Sequence, residues 1–93
     1  MVLEGVVKRV DHVRGSRGER SWDYWVVRVF DDDSCELYEC RVSDSWREDM
    51  PSEGEVIRAA VSIRTRRRWP EGVYVPEVWL ERRLALESAA RAS

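Results

Sequence analysis

The sequence predicts an all-β domain, a five-stranded Greek-key barrel, on three observations. Apolar and polar residues alternate with period two through much of the chain, the alternating runs are cut by clusters of Gly, Pro, Asp and Ser, and a single short segment carries helix-start residues. At 93 residues the chain has the size of one small domain, and 43% hydrophobic content supports a core without metal or disulfide staples.

The elements follow in order. Residues 2–13 form a long Val-rich strand interrupted by Gly5, where the apolar set changes face, so a bulge or barrel corner is expected there. In segment 24–30, Trp25, Val27 and Val29 share one face and Tyr24, Val26, Arg28 and Phe30 the other. The turn Asp31-Asp32-Asp33-Ser34 leads into a third strand over 35–42, forming a hairpin with the second. Ser45-Trp46-Arg47-Glu48 has the form of a capping box, so one short helical turn is expected before Pro51-Ser52-Glu53-Gly54. The fourth strand, 56–66, sets Ile57, Ala59, Val61 and Ile63 against Arg58, Ala60, Ser62, Arg64 and Arg66. The fifth runs from Val73 to Leu84, and Pro76, lacking an amide hydrogen, confines it locally to an edge or bulge.

Five strands with a short helical turn between the third and fourth match a barrel of OB type, although small SH3-like barrels share the strand count. The domain is assigned to residues 1–86 and a frayed or helical tail to 87–93, with a C-terminal helix over 77–91 as the alternative. Trp25 and Trp79 are expected in the core and Trp46 as a cap on the barrel bottom. Trp22 fits either a groove or the core, and Trp69, beside three arginines and a proline, is expected to be exposed.

The formal net charge of −2 conceals an uneven distribution: residues 1–30 carry +2, 31–57 carry −8 and 58–93 carry +4. Fifteen of the sixteen basic residues are Arg, which grips phosphate with a planar fork and stacks on bases. A polarised molecule is expected, with arginines on the groove side and carboxylates elsewhere. No apolar run approaches the ~20 residues of a membrane helix. The first residues hold no apolar signal core, and a cytoplasmic location without membrane contact is expected.

Motifs for catalysis are few. The chain has one His, no nucleophile elbow and no Gly-rich phosphate loop, so a non-enzymatic protein with no metal, cofactor or small-molecule substrate is expected. His12 reads as a strand-end surface residue, because its neighbour Asp11 points to the opposite strand face. Cys35 and Cys40, read as lying in one strand, would be ~16 Å apart and unable to bridge.

Two segments stand out. Residues 12–24 read as a loop in which Arg14, Arg17 and Arg20 alternate with Gly and Ser before Trp22 and Tyr24. Residues 64–72 hold Arg64, Arg66, Arg67 and Arg68 and then Trp69 at a hairpin tip. In an OB barrel these loops flank the nucleic-acid groove, and Arg28 and Tyr24 of the second strand lie between them. Single strands are bound by such sets: arginines track phosphates and aromatic rings stack on unpaired bases for ~1 to 3 kcal/mol each.

The Arg-Gly-Ser segment running into an aromatic strand, the Tyr-containing third strand, the arginine-rich hairpin with an aromatic tip and the closing Leu80-Glu81-Arg82-Arg83-Leu84-Ala85-Leu86 together resemble the helix-destabilising, gene V type single-stranded DNA-binding proteins of filamentous phages. The resemblance spans residues 5–86. It implies an OB barrel that dimerises through hairpin arms and coats single strands. Arg14, Arg17 or Arg20 and Tyr24 resemble the family's first-segment phosphate and stacking residues, and Trp69 its hairpin-tip aromatic.

The reading is a homodimeric, sequence-independent single-stranded DNA-binding protein of phage, plasmid or mobile-element replication or transfer. Phosphate binding falls to Arg14, Arg17, Arg20, Arg28, Arg64, Arg66, Arg67 and Arg68, and stacking to Trp22, Tyr24 and Trp69. The rivals are an RNA-binding OB module and a protein-interaction barrel that docks a basic partner through segment 31–57 and an exposed Trp46.

Overall fold

The structure is a computed structural model that describes residues 1–68 and 72–86, with the backbone alone at 67, 68 and 73. Five strands, β1 (Val2–Arg17), β2 (Arg20–Asp31), β3 (Glu36–Val42), β4 (Val56–Arg68) and β5 (Val73–Leu84), close into one barrel in the order β1-β2-β3-β5-β4. Neighbours are antiparallel except β3 and β5, which run parallel over Cys40↔Val78, Arg41↔Trp79 and Val42↔Leu80. This is the OB-type order expected from the sequence, and that short parallel seam closes it. The helical content of the described residues is a single 3₁₀ turn, Asp44–Trp46, between β3 and β4.

Alternation places the core. Val27 and Val29 of β2, Cys40 of β3, Ile57, Ala59 and Val61 of β4 and Leu80 of β5 meet Leu3 and Val7 of β1 inside the barrel. Each large side chain wholly withdrawn from water here is worth ~1.5 to 3 kcal/mol. Trp46 closes one end, 2% exposed, as expected of a cap.

Several expectations are corrected. The segment 12–24 is no loop: β1 continues to Arg17 and β2 begins at Arg20, and the pairing runs unbroken from Arg9↔Arg28 to Arg17↔Arg20. Gly18 takes the positive φ of 63° that the tight turn requires. Beyond Val26↔Arg41, where β3 stops pairing with β2, these two strands project from the barrel as a two-stranded arm. A second arm is the distal part of the β4/β5 ribbon, paired as far as Arg68↔Val73.

The β1 register shift lies between Val7 and Arg9 rather than at Gly5. Gly5 serves a close approach instead, since a β-carbon there would collide with the Phe30 carbonyl and the Val29 side chain. Cys35 lies in the turn before β3 with φ 55°, outside the strand; both thiols are free. No capping-box bond forms at Ser45. The Ser43 and Ser45 hydroxyls each donate to the Glu81 carbonyl at 3.0 Å, tying the turn to β5. Trp25 and Trp79 are half-buried rather than core. Trp25 has the inward parity of Val27 but sits on the arm, past the end of the barrel wall.

Pro76 pairs opposite Thr65 on the second arm, short of the β3 seam that begins at Val78, so its missing amide costs no seam bond. The expected tail, residues 87–93, lies outside the described residues.

Candidate nucleic-acid interface

The two arms flank β3 and leave a trough on the outer barrel face. One part, of about 300 Å³, is lined by Tyr24 and Val26 of β2, Glu39 and Arg41 of β3, Arg66 of β4 and Pro76 and Glu77 of β5, among others. A wider part, of about 440 Å³, shares Tyr24, Val26 and Glu39 and continues to Arg28, Arg14 and His12. Val26 has outward parity yet is only 7% exposed and forms an apolar floor.

Arg41 is the centre of the trough. Its guanidinium carbon lies 3.6 Å from the Tyr24 ring centroid and 5.2 Å from that of Trp79, whose ring also carries the Arg64 guanidinium at 4.1 Å. Aromatic and guanidinium planes therefore alternate across β2, β3, β5 and β4. Neither Arg41 nor Trp79 is among the binding residues the sequence nominates: Arg41 lies in the acidic segment and Trp79 is expected in the core. Their outward parity, opposite buried Cys40 and Leu80, was the available signal.

The arginines chosen from sequence fall into three groups. Arg14, Arg17 and Arg20 stand exposed on the first arm and form no salt bridge among the described residues. Arg28 and Arg64 border the barrel face and Arg66 stands on the second arm, and each is paired with acid. Arg28 reaches Asp11 Oδ2 at 3.5 Å and Glu39 Oε2 at 3.3 Å, Arg64 reaches Glu81 Oε1 at 2.6 Å, and Arg66 reaches Glu77 Oε2 at 3.8 Å. The backbone of Arg67 and Arg68 extends β4 into the second arm, and Trp69 lies outside the described residues.

The expected separation of arginines from carboxylates is thus overturned. Cross-strand register sets Glu39 beside Arg28, and Glu77 beside Arg64 and Arg41. Opposite charges in such neighbouring positions stabilise a sheet by ~0.2 to 1 kcal/mol a pair. Glu81 also accepts the Ser62 hydroxyl, which together with Arg64 holds its carboxyl below the ordinary range.

Trp22 lies over Gly15, its cross-strand partner, where a β-carbon would collide with the ring, and is 42% exposed. One ring face is thus seated on backbone while much of the ring stays open to solvent. On the same arm the His12 ring stacks on Trp25 at 4.2 Å and 8°, and its Nε2 meets Asp23 Oδ1 at 2.5 Å. An orienting carboxylate is therefore present after all, supplied across the strand pair rather than by Asp11. That hydrogen bond, with the charges of His12 and Arg14, lowers the Asp23 carboxyl below its usual value.

Among the described residues no group of three or more His, Cys, Asp or Glu is placed to hold a metal ion, and no helix is long and apolar enough to cross a membrane. No family model matches the chain, and neither the curated proteins nor the solved structures yield a match.

Proposed function

We propose that the chain is a non-enzymatic binder of single-stranded DNA, taking the strand along the trough between its two arms with little regard to sequence. The observation that carries this reading is the ladder Tyr24, Arg41, Trp79, Arg64 beside the exposed arginines of the first arm. Flat rings and guanidinium planes accept any base, and arginines follow phosphates, so the set favours unpaired strands without reading base edges. A homodimer that coats strands during replication or transfer of a mobile element, in the cytoplasm, completes the proposal.

The adaptor alternative loses its aromatic dock, because Trp46 is 2% exposed inside the barrel end. An electrophoretic shift panel of single-stranded DNA, duplex DNA and RNA tests the reading. A shift strongest for single-stranded DNA is expected, stronger RNA binding assigns the trough to RNA, and no shift of any of the three at low salt rejects it.

A further inference from the structure

We propose that Glu77 is a built-in competitor of phosphate, holding Arg41 and Arg66 until a bound strand displaces it. The inference rests on the nucleic-acid reading above and adds the residue that sets its affinity and release. Glu77 uses one oxygen, Oε2, for both arginines, 3.2 Å from Arg41 Nη1 and 3.8 Å from Arg66 Nε. The Arg41–Glu77 pair is withdrawn from solvent, with side chains 19% and 18% exposed.

This pairing leaves Arg41 incompletely satisfied, since its Nε is buried without a hydrogen-bond partner. A phosphate carries several non-bridging oxygens, so one takes Nη1 from Glu77 while another meets Nη2 of the same guanidinium, a two-point contact that a single carboxylate oxygen does not provide. The guanidinium plane is already fixed on the Tyr24 ring at 3.6 Å, so exchanging the anion requires no reorientation of Arg41. Arg14, Arg17 and Arg20 have no ion pair to break among the described residues and make the first contacts. After exchange the displaced carboxylate stays near the strand and repels it, which speeds release.

The test measures oligo-dT affinity at one fixed salt for the unaltered chain, Glu77→Gln and Glu53→Gln, the last removing an equal charge from an exposed turn outside the trough. Glu77→Gln is expected to bind about tenfold tighter and Glu53→Gln to match the unaltered chain within about twofold. Equal tightening in both, or no gain in Glu77→Gln, overturns the proposal, the first pointing to net charge and the second to a purely structural tie. The gain should vanish in a background carrying Arg41→Gln and Arg66→Gln, and its survival there also overturns the proposal. If Glu77→Gln loosens the arm, Glu77→Asp, which keeps the charge but shortens its reach, should still gain severalfold, and failure to do so is decisive against. An unaltered chain that binds no oligo-dT at low salt rejects the nucleic-acid reading itself, a different result from a binder indifferent to Glu77.

Discussion

Cys35 and Cys40 meet opposite surroundings, one exposed in a turn and one buried in the barrel wall. Burial, with the charge of Glu39 adding to it, pushes the Cys40 thiol from 9.0 up to about 12. Only a thiolate attacks a labelling reagent, so at pH 8 one thiol per folded chain should react quickly and two after unfolding. Two fast thiols in the folded chain would contradict the packing. Because the folded value is raised, Cys40 favours the folded state fully below pH 9.0 and loses that contribution as pH climbs toward about 12. The urea midpoint should fall across that window, and less so in Cys40→Ala. Trp46 makes the second residue-scale prediction. At 2% exposure it is a core residue, and Trp46→Ala should cost about 3 to 5 kcal/mol in urea unfolding. A variant of unchanged stability would return Trp46 to the surface and revive the adaptor reading.

At the scale of elements, the strands that line the core were legible in the sequence and the arms were not. Alternation marks a strand only where one face is buried, as in Val27 and Val29 against Arg28. Residues 12–24 form a ribbon whose faces both meet solvent over much of its length, so Arg, Gly and Ser carry no period there, and the hydrogen bonds that make it a strand run only between its two halves. The same limit hid the ion pairs, since Arg41 meets Glu77 across 36 residues of sequence. Parity placed Tyr24 and Arg28 on the outward face; register, which parity alone does not give, set carboxylates among the arginines. The arm is also separable from the barrel. Replacing residues 15–22 with Asn-Gly joins Arg14 to its cross-strand partner Asp23 through a two-residue turn. The melting temperature should change by no more than a few degrees, while oligo-dT affinity falls and its salt slope shrinks by about 1.4 for the two arginines removed. Unchanged affinity would show that the first arm does not touch the strand.

The whole molecule is elongated, 53 × 26 × 19 Å, because two ribbons extend from a small barrel. Its net charge of −2 gives no long-range attraction for a polyanion, so the binding we propose rests on local arginines of the arm and on exchange of carboxylate for phosphate in the trough. The most direct measurement is a tryptophan fluorescence titration with oligo-dT across salt concentrations. The account predicts quenching as bases stack beside Trp22 and Trp79, with log affinity falling linearly in log salt at a slope of about −3 to −4 for four to six phosphates neutralised. No quenching at low salt, or an affinity indifferent to salt, would contradict it.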